Sequence, residues 1–110
     1  MSESVVILGG KRSAIGKFAG SLAGVTPTSL GSIVTKAALE TAGVAPDMVD
    51  HAVYGNVLHS EARDVYIARV VAIDAGLPTH APALTVNRLC GSGLQAIVSA
   101  IQLIQLGDAK

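Results

Sequence analysis

The 110-residue sequence contains a single cysteine, Cys90. One cysteine excludes an intrachain disulfide and a cysteine-rich metal site. A chain without a disulfide framework is typical of a reducing compartment, and we expect it to be cytoplasmic. The N-terminal stretch MSESVVILGGKR also lacks the features of a signal peptide, because an acidic residue precedes a short apolar run and no small-residue cleavage site follows.

Aromatic residues and net charge are also scarce. The sequence has no tryptophan, one phenylalanine and two tyrosines, so its core must be built from Val, Ile, Leu and Ala. Eight basic side chains balance eight acidic ones, and we therefore expect neither nucleic acid nor a membrane surface as a partner. Half of the residues are apolar, but no apolar run approaches the roughly 18 residues of a membrane-spanning helix.

Two common site motifs are missing. The stretch GGKRSAIGKF resembles a phosphate-binding loop, but Lys11 stands where the first glycine is needed and Phe18 where a Ser or Thr is needed. The three histidines, His51, His59 and His80, are scattered and form no HxH or HxxxH pair. We therefore expect no nucleotide-phosphate loop and no metal site.

What the sequence does contain is an alternation of apolar β-branched runs with helical periodicity. Strands are predicted at Ser4–Leu8, His51–Leu58 and Ala83–Val86, and helices from Thr28 or Ser29 to about Thr41, at Arg63–Ala75 and at Leu94–Leu106. The order β-α-β-α-β-α predicts an α/β layer with a mostly parallel sheet. No strand follows the third helix, so the sheet is expected to be incomplete, with the domain continuing beyond Lys110.

Cys90 lies on the turn between the third predicted strand and the third predicted helix, in NRLCGSGLQAI. A lone cysteine is often a buried small hydrophobe. The turn favours a nucleophile instead, because unpaired N–H groups at a helix start stabilise a thiolate. Gly91, Ser92 and Gly93 leave the sulfur accessible and, with Cys90, form a turn whose N–H groups could bind an oxyanion. On this geometry alone, the two interpretations have about equal support.

The stretch NRLCGSGLQAI closely resembles the active-site segment of the thiolases, the acetyl-CoA acetyltransferase or β-ketothiolase family. KRSAIGKFAGSL is similar to the family's N-terminal signature R-[TS]-[PA]-[IF]-G-[KR]-F-x-G-[SA]-L, and YGNVL and AGLP…AP…TVNRLCGSG follow in the family's order. The resemblance covers essentially all 110 residues. It implies a thiolase-like layered fold, with residues 1–110 as the N-terminal part of the thiolase N-terminal domain.

The resemblance implies that Cys90 is the acyl-accepting nucleophile of an acyl-CoA C-acyltransferase. The enzyme would condense two acyl-CoA molecules, or cleave 3-ketoacyl-CoA by thiolysis, through an acyl thioester on Cys90. Its partners would be acyl-CoA and CoA, it would need no metal or other cofactor, and it would form a homodimer or homotetramer. The family's activating histidine, second cysteine and Asn–Glu motif have no match in this sequence. The chain alone is therefore expected to be inactive.

One segment departs from the family pattern. Many thiolases have G-Q-N-P-A-R before the second helix, whereas this sequence has EARDVYIAR, with Tyr66 and Ile67 in place of Asn-Pro. A similar E-x-R-D-x-Y pattern in some β-ketothiolases that accept longer acyl chains hints at broader acyl specificity. Two alternatives stay open: a β-ketoacyl synthase relative, with its cysteine at the same turn, and a truncated module that only associates with partner subunits.

Overall fold

A computed structural model describes residues 4–110 and confirms the predicted α/β layer. In this part of the chain, two parallel strands alternate with three α-helices: α1 Pro27–Ala42, β1 Ala52–Gly55, α2 Ile67–Asp74, β2 Ala83–Val86 and α3 Ser92–Leu106. Short 3₁₀ turns at Pro46–Met48 and Ala62–Tyr66 precede β1 and α2. The chain thus forms a β-α-β-α unit preceded by a further helix.

The limits of α1 follow from its capping residues. The Thr26 hydroxyl accepts a hydrogen bond from the Ser29 N–H at 3.2 Å, and Pro27 occupies the first turn, where its missing N–H has no cost. Gly43 ends the helix in the left-handed conformation with φ 67°. The predicted cap, Thr28 or Ser29, is therefore wrong by two or three residues, because Thr26 already provides the capping oxygen.

The two strands pair in parallel, with a register that runs from Ala52 opposite Ala83 to Gly55 opposite Val86. Side chains alternate between the faces of a strand. Ala52 contributes to a small core with Ala72, Ala75 and Leu77 on the side of α2. Gly55, three residues further on, lies against the start of α3. Helices α2 and α3 therefore cover opposite faces of the strand pair.

The predicted first strand, Ser4–Leu8, is wrong for the residues that the structure describes. Residues 4–10 have no strand pairing, and Val6, Ile7 and Leu8 are exposed. A cleft of about 580 Å³ separates the segment around Leu8 from β1. An apolar run becomes a strand only when a neighbour accepts and donates its backbone hydrogen bonds, and residues 4–10 have no such bonds recorded with β1.

The second predicted helix begins later than expected. The sequence predicted Arg63–Ala75, but a 3₁₀ turn occupies Ala62–Tyr66 before α2. The buried Asp64 carboxylate caps this turn, because its Oδ2 accepts hydrogen bonds from the N–H and hydroxyl of Ser60 and from the Glu61 N–H, at 2.7–3.1 Å. Burial raises the pKa of Asp64, but these hydrogen bonds and the nearby charge of His59 outweigh it and hold the pKa below its ordinary value.

The stretch Leu89–Leu106, which includes α3, is long and apolar enough to cross a membrane by length and composition alone. It meets this criterion through its mean hydropathy and not as an uninterrupted apolar run, because it includes polar residues such as Gln95, Ser99 and Gln102. A helix that covers a sheet passes the same test, and α3 packs along both β1 and β2. Leu94 and Leu106 nevertheless remain largely exposed. The absence of a membrane partner stays a prediction.

Candidate active site

Cys90 lies in the five-residue turn between β2, which ends at Val86, and α3, which begins at Ser92. It is a free thiol with an exposed side chain. Cys90 therefore does not act as a buried small hydrophobe in this chain. The turn places the sulfur beside the start of a 15-residue helix, where the partial positive charge of the helix terminus stabilises a neighbouring negative charge.

The residue before Cys90 has an unusual backbone conformation. Leu89 has φ 50°, one of two positive φ values at non-glycine positions in the described part of the chain. A left-handed leucine costs about 1–3 kcal/mol and persists only where the surroundings hold it in that conformation. Its N–H donates to Asn87 Oδ1 at 3.0 Å, and its carbonyl oxygen accepts from Ser92 Oγ at 2.6 Å. Both peptide groups of the strained residue are therefore fixed by side chains.

Ser92 closes the turn from the side of the helix. Its buried hydroxyl accepts a hydrogen bond from the Arg88 N–H at 2.7 Å while it donates to the Leu89 carbonyl oxygen. The N–H groups of Gly91 and Ser92 also donate within the turn, to the carbonyl oxygens of Arg88 and Leu89, both at 3.1 Å. These two N–H groups are therefore engaged before any substrate binds.

The oxyanion role of Cys90, Gly91, Ser92 and Gly93 stays a prediction. The hydrogen bonds within the turn reduce the number of N–H groups that are free for this role, because the N–H groups of residues 91 and 92 already donate to carbonyl oxygens. Gly93, in the first turn of α3, leaves open space where a side chain would project. Within the turn, the N–H groups of Cys90 and Gly93 are therefore the better candidates for contact with a developing oxyanion.

The loop after β1 is tied to the Cys90 turn by a side chain. Asn87 Nδ2 donates to the Val57 carbonyl oxygen at 3.4 Å. Asn56 in the same loop donates to the Asp64 carbonyl oxygen at 3.3 Å and lies at the same distance from His59 Nδ1. The carboxyl ends of the two parallel strands are thus linked, so the turn that carries Cys90 has support from the neighbouring strand.

A close backbone approach fixes α3 over the end of β1. A β-carbon on Gly55 would lie 2.7 Å from the carbonyl carbon of Ser92 and 2.8 Å from its β-carbon. Real β-carbons essentially never approach other atoms this closely. Only glycine therefore fits at residue 55, and its absence of a side chain lets the start of α3 settle onto the sheet.

Two of the three histidines have recorded contacts in the part of the chain that the structure describes, and neither contact is with Cys90. His51 Nδ1 lies near the Ala52 carbonyl oxygen, and His59 is beside Asn56. Between residues 4 and 110, no three His, Cys, Asp or Glu side chains are grouped so that they could hold a metal ion. Among the described residues, neither histidine is recorded in a hydrogen bond with Cys90, whose role as a nucleophile stays a prediction. Independence from metals and other cofactors stays a prediction.

The site and the fold together define the class of an α/β protein with an exposed thiol on the turn from a parallel strand to its covering helix. The family described as thiolase, N-terminal domain, matches residues 5–110. The chain belongs to the thiolase family.

Individual relatives agree with this assignment. The chain is 56% identical over 108 residues to the β-ketothiolase BktB of Cupriavidus necator, covering 98% of this chain and 27% of the relative. It is 42% identical over 108 residues to the mitochondrial 3-ketoacyl-CoA thiolase of Bos taurus, again covering 98% and 27%. The chain therefore spans about a quarter of the length of these relatives.

Solved structures match the fold as well. Human mitochondrial 3-ketoacyl-CoA thiolase in complex with CoA superimposes with a TM-score of 0.91 at 43% identity, covering 94% of this chain and 26% of the other. The acetyl-CoA acetyltransferase of Bacillus anthracis gives a TM-score of 0.92 at 38% identity, covering 99% and 27%. Both the predicted family and the predicted fold class are confirmed.

Sequence reasoning missed two residues of the site, Asn87 and Gly55. The signal for Asn87 is its place between the end of a predicted strand and Cys90, where an Asn side chain often binds the backbone two residues on. The signal for Gly55 is a glycine at the end of an otherwise β-branched and aromatic strand, which indicates a close backbone approach. Neither signal identifies the contacting residue, Val57 for Asn87 or Ser92 for Gly55, because each contacting residue is distant in sequence.

Proposed function

We propose that this chain supplies the nucleophile of an acyl-CoA C-acyltransferase, an acetyl-CoA C-acetyltransferase or β-ketothiolase. The observation that carries the proposal is the exposed Cys90 thiol on a turn held by hydrogen bonds at the start of α3. The identity of 56% to a β-ketothiolase supports it. The thiolase match weighs against the alternative of a β-ketoacyl synthase relative.

The first half-reaction forms a covalent intermediate. The Cys90 thiolate attacks the carbonyl carbon of an acyl-CoA thioester, so that a new carbon–sulfur bond forms and the carbonyl oxygen becomes an oxyanion. As this oxyanion collapses, the bond to the CoA sulfur breaks, and the CoA thiolate leaves and takes up a proton. The start of α3 stabilises negative charge on both the attacking sulfur and the oxyanion.

The second half-reaction regenerates the thiolate. A base removes an α-proton from a second acyl-CoA, and the resulting carbanion attacks the acyl carbon on Cys90. A carbon–carbon bond forms, the carbon–sulfur bond to Cys90 breaks, and 3-ketoacyl-CoA leaves. The reverse sequence is thiolysis. The base and the histidine that activates Cys90 come, in this proposal, from sequence outside these 110 residues, so residues 1–110 alone are inactive.

The partners in this proposal are acyl-CoA and CoA. The solved human relative that contains CoA supports them. The proposal includes no metal or other cofactor, since the chemistry needs only thiol, base and oxyanion donors. It also places the complete protein in the cytoplasm as a homodimer or homotetramer. Broader acyl specificity stays a prediction that rests on the E-x-R-D-x-Y pattern, with Tyr66 and Ile67 in place of Asn-Pro.

Acyl transfer from radiolabelled acetyl-CoA to the complete protein tests the proposal. The wild type and a matched Ser99→Ala control, altered on the same helix, should retain protein-bound label that hydroxylamine releases, as expected of a thioester. Cys90→Ala should retain none. Unchanged labelling of Cys90→Ala would rule out Cys90 as the acyl carrier. Turnover of acetoacetyl-CoA with CoA by residues 1–110 alone would show that no outside groups are needed.

A further inference from the structure

We infer that Asn87 is a positioning residue for the Cys90 nucleophile and that it acts through the backbone of Leu89. The inference deepens the proposed function and rests on it, because it assumes that Cys90 carries the acyl group. Asn87 has no described contact with the sulfur. Its effect comes from the way it holds the residue that precedes Cys90.

The Asn87 side chain makes two hydrogen bonds in different directions. Its Oδ1 accepts from the Leu89 N–H at 3.0 Å, and its Nδ2 donates to the Val57 carbonyl oxygen at 3.4 Å. The first bond is within the turn, and the second reaches the loop that follows β1. The side chain therefore holds the Leu89 amide in a fixed position relative to the neighbouring strand.

The strain at Leu89 makes this support necessary. A leucine at φ 50° returns to a negative φ when its peptide groups are free to turn. Ser92 holds the carbonyl side of Leu89 through its hydroxyl and its N–H, at 2.6 and 3.1 Å. Asn87 supplies the side-chain acceptor on the amide side. Without it, rotation at Leu89 would carry the next residue, Cys90, away from the start of α3.

Asparagine suits this position because one short side chain accepts from the Leu89 N–H, the contact on which the inference rests, and also donates to the Val57 carbonyl oxygen. Aspartate would keep the acceptor for Leu89 but would lose the donor for Val57, and it would add a negative charge near a thiolate. Serine could still accept from an N–H two residues ahead, but it is too short to bridge the two loops. Alanine offers neither group. These differences give a graded set of variants.

The complete protein is used for the test, with Asn87→Ala, Asn87→Ser and a control, Gln95→Ala. Gln95 accepts a hydrogen bond from the Arg88 side chain and lies close to Cys90 in sequence, but it has no described contact with Leu89. Two rates are measured: single-turnover acylation over a range of acetyl-CoA concentrations, and alkylation of Cys90 by iodoacetamide. Thermal unfolding shows which variants are folded.

Asn87→Ala should acylate about 10- to 100-fold more slowly at saturating acetyl-CoA, the effect expected when a reacting group is displaced by about 1 Å. The half-saturating concentration should change less than about twofold, because contacts with CoA are not removed. Asn87→Ser should recover most of the rate, and Gln95→Ala should match the wild type. If Asn87 had only a structural role, its loss would lower stability, but it would not slow acylation while leaving the half-saturating concentration of acetyl-CoA nearly unchanged.

Three results would overturn the inference: Asn87→Ala within about twofold of the wild type, Asn87→Ser as slow as Asn87→Ala, or an equal loss in Gln95→Ala. If Asn87→Ala does not fold, amide hydrogen exchange in the wild type tests the inference instead. The inference requires that the Leu89 N–H exchanges slowly, and rapid exchange would overturn it. The rate of alkylation by iodoacetamide distinguishes a failure of this inference from a failure of the proposed function. A wild type that alkylates but never acylates contradicts the proposed function, while slower alkylation of Asn87→Ala still supports the role of Asn87.

Discussion

Gly55 at the end of β1 lies against Ser92 at the start of α3, so closely that a β-carbon on residue 55 would be 2.7 Å from the Ser92 carbonyl carbon. This contact joins the sheet to the helix that carries Cys90 at its start. The atoms involved are mainly backbone, which cannot move aside without moving the turn. The position of Cys90 is therefore sensitive to residues that do not touch it.

Gly55→Ala should lower both stability and acylation. The added methyl group overpacks the contact, which costs about 1–3 kcal/mol of unfolding free energy, and it pushes Ser92 and the Cys90 turn away from β1. Thermal unfolding and single-turnover acylation by acetyl-CoA of the complete protein measure the two effects. Gly24→Ala is the control, because a β-carbon there meets no atom within 4 Å. Equal behaviour of the two variants would contradict the close contact.

Ser92→Ala should destabilise the turn. The change removes the acceptor for the Arg88 N–H and one donor to the Leu89 carbonyl oxygen, and an unsatisfied buried polar group costs about 1–3 kcal/mol. Acylation of Cys90 should slow as the turn loosens. Ser99→Ala provides the comparison, since Ser99 accepts only one described side-chain hydrogen bond, at 3.2 Å from Gln95. If both variants unfold at the same temperature, the Ser92 hydroxyl does not hold the turn.

Gly31→Ala should destabilise the contact between α1 and α2. A β-carbon on Gly31 would lie 2.8 Å from a methyl group of Val71, which is fully buried. Overpacking costs about 1–3 kcal/mol, and the better helix propensity of alanine offsets about 0.5–1 kcal/mol of it. The double variant Gly31→Ala/Val71→Ala should lose less stability than the two single changes added together. Strict additivity in denaturant unfolding would show that the two residues do not meet.

Asp64→Asn should reduce the dependence of stability on pH in the acid range. The pKa of Asp64 is lowered in the folded chain, so its contribution to stability is present above the ordinary aspartate pKa of about 4 and is lost as the pH falls through the lowered value. The midpoint of thermal unfolding should therefore fall less steeply for Asp64→Asn than for the wild type below about pH 4. Asp47→Asn is the control. Parallel curves for all three proteins would exclude the proposed capping role.

The strands β1 and β2 and the helices α1 and α3 were predicted from sequence because their signals are local. Apolar β-branched runs predicted the strands, and α1 and α3 end where left-handed glycines, Gly43 and Gly107, follow the predicted helical periodicity. Ser4–Leu8 gave the same strand signal, but pairing depends on a neighbour that the run itself does not specify. The 3₁₀ turn before α2 depends on the buried Asp64, whose burial is a tertiary property.

The Cys90 turn was predicted in outline and missed in detail. The sequence predicted a strand, a glycine-rich turn and a helix, and the family resemblance predicted that Cys90 is the nucleophile. The left-handed Leu89 was not visible, because leucine has no preference for that conformation. Its two supports, Asn87 and Ser92, acquire their roles only when the turn closes and when Val57 comes alongside from the other strand.

The pairing of Gly55 with Val86 also has a consequence for folding. Two parallel strands of four residues each have few hydrogen bonds to hold their register, and a slip by one position turns the side chains of a strand to the opposite face. A slip would bring Tyr54 or Asn56 to the place where α3 approaches, and neither side chain fits there. Because only a residue without a side chain fits beneath the start of α3, the helix can pack onto the sheet only when Gly55 lies opposite Val86. Packing of α3 therefore selects the correct register of the two strands.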